Sequence, residues 1–208
     1  MYTLYYAPGA CSMSVHIVLE WIGAPYRAER TDPSSGDYLA VNPAGAVPAL
    51  RIGEGAPLTQ CSAILHFLAR RFPQADLGDD ATPERAAEVD RWAAFLTGDL
   101  HPVFFPVFMP ARYTTDPDKA ALAKVREAGL ALVRKKLGLI DGQLEGREHF
   151  VGGKRTIVDA YSVPMVRWAS SILPGGVAAY PNVGRHHERM LADPAVHKVM
   201  QAKGLTEG

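Results

Sequence analysis

Along residues 1–72 the apolar positions switch between two periods. Tyr2 to Tyr6 is a short, aromatic, β-prone run that Pro8-Gly9 stops. Val15, Val18, Leu19 and Ile22 then recur at helical spacing over 12–22, and Gly23 and Pro25 close that helix. Tyr26 to Arg30 reads as a second strand, and residues 31–45, polar and rich in Gly and Pro, as a long loop. Val47 to Ile52 reads as a third strand interrupted by Pro48, and Pro57 to Thr59 as a short fourth. Ile64, Leu65 and Leu68 mark one face of a helix over 60–72. The expected order is therefore β-α-β, a loop, then β-β-α.

Residues 73–83 carry Pro, Gly and acidic residues with no periodicity and read as a linker. Everything after them has helical spacing. A helix over 84–100 carries Val89, Trp92, Phe95 and Leu96, and Pro102, Pro106 and Pro110 should end or kink it. A long amphipathic helix follows over 118–139. Another over 156–172 opens with Thr156-Ile157-Val158-Asp159, a capping-box-like start with Asp in the usual Glu/Gln place. Short helices are expected over 185–192 and 194–202. The prediction is a small α/β domain over residues 1–76 and an all-helical domain over residues 84–208.

Composition narrows the function classes. The chain has 208 residues, 48% of them apolar and 21% charged, a balance that gives a soluble globular protein with a sizeable core. Basic and acidic residues number 22 each, so the basic excess that non-specific nucleic-acid binding needs is missing. The chain has no uninterrupted apolar run of about 18 residues, so no membrane span is predicted. The opening MYTLYYAPGACS has neither the basic nor the apolar region of a signal peptide. Two cysteines cannot form a disulfide scaffold and are expected as free thiols in a reducing, cytoplasmic compartment.

Three places could carry chemistry. Cys11 follows a strand and a Pro-Gly-Ala turn and falls in the first turn of a predicted helix, where unpaired N–H groups and the helix dipole favour a thiolate. Ser14 completes a Cys-x-x-Ser motif. The alternative is a buried cysteine that only fills space. Val47-Pro48 opens a strand, which suits either a cis bond that presents the Val47 backbone to a peptide-like ligand or an edge-strand trans-proline. His101 lies at a helix end beside several Phe residues. It is either a half-buried histidine satisfied by a backbone carbonyl or a partner for a sulfur anion.

Other motifs fail. Gly152-Gly153-Lys154-Arg155-Thr156 lacks the glycine spacing and the preceding strand of a phosphate loop. His186-His187-Glu188 lacks the second histidine of a zincin motif, so no metal site is expected there. The aromatic group Trp92, Phe95, Phe104, Phe105 and Phe108 reads as core and pocket wall rather than a stacking platform for bases.

Read together, the motifs resemble bacterial cytosolic glutathione S-transferases, the beta class above all. The matching residues are Tyr6 to Ser12, Asn42-Pro43 with Val47-Pro48-Ala49-Leu50, and Leu58-Thr59-Gln60-Cys61 with Ala63-Ile64. They continue through Leu100-His101, Thr156 to Tyr161, Arg167-Trp168, and Tyr180 to Val183. The resemblance implies a thioredoxin-like α/β N-terminal domain, an all-α C-terminal domain and a homodimer. It implies glutathione as co-substrate, with no metal, and a small hydrophobic electrophile as second substrate. Cys11 would sit beside the glutathione sulfur, with His101 approaching from the second domain. Val47, held by a cis-Pro48, would pair with the cysteinyl part. Gln60 and Cys61 would hold the γ-glutamyl group at a helix N-terminus, and Asp99 would reach the γ-glutamyl amine of the partner subunit. Phe104 and Trp168 would line the electrophile pocket. Cys11 and Cys61 would then flank opposite ends of one glutathione, and no disulfide is expected between them.

Three departures stand out, one being that Pro102 follows His101 where the better-known members have a lysine, which removes a cation from the site. The γ-glutamyl position usually carries Ser or Thr where Cys61 stands, and a thiol is the poorer donor. Residues 31–40 contain no lysine, so Ser34, Ser35 or a backbone group would replace that cation. The expected activity is conjugation of the glutathione thiolate to electrophiles, with a mixed disulfide at Cys11 as a second chemistry. The alternatives are a glutathione-dependent thiol-disulfide oxidoreductase or peroxidase, and a non-catalytic binding protein of the same fold.

Overall fold

The computed structural model describes residues 1–78 and 82–205, so the expected linker falls partly outside the described residues. Four strands, β1 (Tyr2–Tyr6), β2 (Tyr26–Arg30), β3 (Ala49–Ile52) and β4 (Leu58–Thr59), form one mixed sheet in the order β2-β1-β3-β4. β1 runs parallel to β2, with Leu4 opposite Ala28, and antiparallel to β3, with Leu4 opposite Leu50. Leu4 and Leu50 are fully buried, which fixes this register, because a slip by one residue would turn both outward.

Helix α1 (Ser12–Ile22) connects β1 to β2 and ends at Gly23, whose φ of 63° is the left-handed conformation that glycine adopts without a Cβ clash. Met13, Val15, Ile17, Val18 and Leu19 are all fully buried. A helix apolar on so many sides is packed on more than one face, and α1 meets both α3 (Cys61–Arg71) and α8 (Ile157–Ile172).

The expected loop over 31–45 is instead interrupted by a helix, α2 (Gly36–Val41). Ser35 caps it by accepting the Tyr38 N–H at 3.2 Å, and the Tyr38 ring is buried. One buried aromatic on a six-residue helix makes no periodic pattern, so the sequence offers little to read.

The helical part begins with α4 (Pro83–Phe95), capped by Thr82, which accepts the Arg85 N–H. The three prolines then act as expected. The chain passes through a widened π turn over Leu96–Leu100 into two short helices, α5 (His101–Val103) and α6 (Phe105–Phe108), and a 3₁₀ turn over Pro110–Arg112. Pro102 and Pro106 carry no N–H to donate, so a regular ladder cannot cross them. The rest is α7 (Lys119–Gln143), α8, α9 (Pro181–Ala192) and α10 (Pro194–Ala202).

Thr156 and Asp159 form the expected capping box at the start of α8. The Thr156 hydroxyl accepts the Val158 N–H at 3.2 Å, and Asp159 accepts the Thr156 N–H at 2.7 Å. The fully buried carboxylate also accepts the Phe150 N–H at 3.1 Å and meets His186 Nε2 at 2.8 Å. Burial alone would push this carboxyl up; hydrogen bonds from His149 and His186 more than offset that and hold it well below the usual carboxylate range. These partners account for the clustering of His149, Asp159 and His186, whose ligand atoms lie within 4.8 Å of one another.

One apolar core runs through both parts, from Leu4, Leu50 and Leu65 through α1 to Leu96, Val163 and Phe150. The polar ties between the parts include Ile157 N–H to the Leu77 carbonyl at 3.0 Å and Trp168 Nε1–H to the Gly9 carbonyl at 2.7 Å. No helix among the described residues is long and apolar enough to cross a membrane.

Candidate active site

The N-termini of α1 and α3 open into one cleft of about 610 Å³, faced across by residues 97–112 and by Tyr161 and Trp168 of α8. Cys11 stands at the cap position of α1 and is 7% exposed. Its Sγ lies 3.4 Å from the Val47 carbonyl oxygen.

The segment carrying Val47 is held from behind. Tyr38 Oη and Asn42 Nδ2 both donate to the Ala46 carbonyl at 2.7 Å, and Asn42 Oδ1 accepts the Ala44 N–H at 3.2 Å. That explains the Asn42-Pro43 motif: a buried amide stitches the turn that delivers Val47. The Val47-Pro48 peptide is cis. The Val47 N–H meets no protein acceptor among the described residues.

Gln60 precedes α3 with φ of 69°, a left-handed conformation that non-glycine residues adopt at some cost and often at functional sites. Its side chain makes no cap bond and is exposed.

Cys61 lines the same cleft with its thiol turned toward Ser14. It is 6% exposed, with Sγ 3.2 Å from Ser14 Oγ and 3.7 Å from the Cys11 carbonyl oxygen. Ser14 Oγ donates to that same carbonyl at 2.5 Å. The Cys61 thiol thus packs against the Cys11 backbone, and the two residues are neighbours rather than opposite ends of a ligand. Burial, followed by the proximity of Cys11, pushes the Cys61 thiol well up. An interior draws the softer, more apolar thiol inward where a hydroxyl would seek water or a ligand.

Ser34 and Ser35 do not stand in for the missing lysine. Ser34 Oγ donates to Asp32 Oδ1 at 2.7 Å, and Ser35 Oγ donates to the Asp32 carbonyl at 2.9 Å. Among the described residues lining the cleft, Arg112 carries the one permanent positive charge and none is acidic.

His101 lines the cleft, and its Nδ1 lies 3.1 Å from Tyr161 Oη. Burial lowers its imidazole to about 4, so the ring is neutral near pH 7. Burial raises the Tyr161 hydroxyl, which therefore stays protonated. Tyr161 was missed as a site residue. The one available signal was that a buried tyrosine hydroxyl needs a partner, and the sequence does not say which.

The aromatic wall differs from the expectation by one residue. Phe104 is fully buried behind Phe108 and Trp168, with ring centroids 5.9 and 5.3 Å away, and does not line the cleft. Phe105, Phe108 and Trp168 do. The break between α5 and α6 rotates Phe104 inward, a rotation the proline spacing alone does not fix. Asp99 also lies off the cleft, ion-paired with Lys136.

A thioredoxin-like sheet with a cysteine at the N-terminus of its first helix, roofed by a helical domain that supplies an apolar wall, defines a two-domain thiol-handling enzyme. The comparisons specify it further. The pattern of the glutathione S-transferase N-terminal domain matches residues 9–71, and that of the C-terminal domain matches residues 99–194. Glutathione S-transferase GST-4.5 of Xanthomonas campestris pv. campestris is 39% identical over 97% of this chain and 98% of its own. A glutathione S-transferase from Xylella fastidiosa superposes with a TM-score of 0.91 at 33% identity, covering 99% of this chain and 100% of that one. A sphingomonad glutathione S-transferase solved with glutathione, and a beta-class one from Sphingomonas chungbukensis, each give 0.86 at 31%, covering 98% of this chain and 100% of theirs. The chain belongs to the glutathione S-transferase family and is an enzyme of it.

Proposed function

We propose that this cleft binds glutathione across the N-termini of α1 and α3 and transfers its thiolate to small apolar electrophiles. The observation that carries the reading is the convergence of three ligand-ready features on one cleft. They are the thiol of Cys11, the unpartnered Val47 N–H, and the uncapped Gln60 at the start of α3. Val47 would pair with the cysteinyl backbone of glutathione. The N–H groups of α3, Cys61 among them, would take the γ-glutamyl carboxylate, where the helix dipole favours an anion. The positive charge of Arg112 in an acid-free lining favours the thiolate form of the co-substrate.

His101 offers Nε2 to the sulfur, because Tyr161 occupies Nδ1. Phe105, Phe108 and Trp168 hold the electrophile against the sulfur, and position then supplies much of the rate. Cys11, beside that sulfur, can instead exchange with glutathione disulfide to form a mixed disulfide. We read the protein as a cytoplasmic homodimer with domains over residues 1–76 and 84–208, with Asp99 near the partner's site and exchangeable with Lys136.

Steady-state conjugation of glutathione to 1-chloro-2,4-dinitrobenzene tests this. Saturable glutathione dependence is expected, with kcat rising with pH only as the bound thiol ionises. No step should come from His101 between about pH 6 and 8, because its imidazole is already neutral there. The absence of glutathione-dependent turnover would remove the reading.

A further inference from the structure

The chain has two cysteines, and the fold brings both to the same spot. Cys11 lies at the start of α1 and Cys61 at the start of α3. Ser14 links them, donating to the Cys11 carbonyl and meeting Cys61 Sγ at 3.2 Å. Cys61 Sγ is 3.7 Å from the Cys11 carbonyl oxygen, which sets the two residues side by side, and a disulfide needs their sulfurs to close to roughly 2.05 Å. Tyr161 lines the same cleft as Cys61, and its Oη lies 3.1 Å from the neutral His101. Conjugation uses the Cys61 N–H and the Tyr161 contact with His101, but gives the Cys61 thiol no role.

We propose that Cys61 is a second redox-active residue of this cleft, which attacks the Cys11–glutathione mixed disulfide, closes a Cys11–Cys61 disulfide and releases glutathione. The proposal rests on the mixed-disulfide reading of Cys11 above.

In the first step the Cys11 thiolate attacks one sulfur of glutathione disulfide, forming the Cys11–glutathione bond and expelling one glutathione thiolate. In the second, the Cys61 sulfur attacks Cys11 Sγ, and the bond to glutathione breaks. The Cys61 proton leaves by way of the Tyr161 hydroxyl and is taken up by the departing glutathione thiolate. Two protein thiols are oxidised, and one glutathione disulfide is reduced to two glutathione molecules. Excess glutathione runs the same steps backwards. The burial that holds Cys61 as a thiol at rest sets the order, because Cys61 does not compete for the first attack.

The test is a time course with oxidised glutathione, quenched in acid and followed by non-reducing intact mass and peptide mapping. Wild type should gain about 305 Da transiently and then settle about 2 Da below the reduced mass, with a Cys11–Cys61 cross-linked peptide. Cys61→Ser should retain the adduct at least about tenfold longer, and Tyr161→Phe should lengthen the transient. Cys11→Ala should show neither species. If wild type holds its adduct as long as Cys61→Ser and yields no cross-linked peptide, the proposal is overturned while the reading of Cys11 stands. If Cys61→Ser gains no adduct, the reading of Cys11 fails and takes the proposal with it. The wild-type time course decides the matter even if Cys61→Ser folds poorly.

Discussion

Replacing Asp159 with alanine is expected to remove about 3–5 kcal/mol of stability, the range for breaking a buried charged contact from one side. The carboxylate is fully buried and holds five groups at once: the Thr156 and Phe150 N–H groups, the Thr156 hydroxyl, His186 and His149. Alanine leaves two backbone donors and an imidazole in an apolar interior with no acceptor. Natural domains are stable by only about 5–15 kcal/mol, so this loss should be visible as a lower urea midpoint and reduced soluble yield. Asn keeps one acceptor oxygen and should recover part of it. Equal urea midpoints for wild type and Asp159→Ala would show that α8 needs no such anchor. The catalytic consequence is indirect, since α8 carries Tyr161 and Trp168 into the cleft.

Trp168→Ala is expected to damage both fold and turnover. The indole is wall and latch together: its ring packs on His101, Phe104 and Phe108, and its Nε1–H donates to the Gly9 carbonyl, 159 residues away. Truncation should cost about 3 kcal/mol, as large-to-small aromatic changes do. It should lower kcat/KM for an aryl halide by about 10–100-fold, because the electrophile loses its wall and the turn before Cys11 loses its tether. Trp168→Phe separates the two parts. It keeps a ring and loses only the hydrogen bond, so stability should fall by about 1 kcal/mol. If Trp168→Ala turned over normally, the electrophile would have to sit elsewhere.

The parts of this protein that sequence makes legible are those set by local chemistry. Strand and helix periods place all four strands and the main helices. The turn Pro8-Gly9-Ala10 places Cys11 at a helix start, and Thr156 with Asp159 announces its own cap. What stayed hidden depends on rotation and on distant partners. Whether Phe104 or Phe105 faces the cleft turns on how the chain passes two prolines. The inward turn of Cys61 depends on Ser14, 47 residues away. Tyr161 sits in a recognisable motif, yet its hydroxyl acquires meaning only from His101 and Cys61. Helix α2 escaped because a single buried tyrosine carries it. Sequence therefore locates the cleft, and tertiary packing decides which atoms face it.

The central claim is that glutathione lies across α1 and α3 with its sulfur at Cys11, and a crystal structure grown with glutathione tests it most directly. The account predicts the sulfur within contact of Cys11 Sγ and on the side of His101 Nε2. It also predicts the cysteinyl backbone paired with Val47 and the γ-glutamyl carboxylate on the first N–H groups of α3. Glutathione bound elsewhere, or a cleft left empty at saturating concentration, would contradict it.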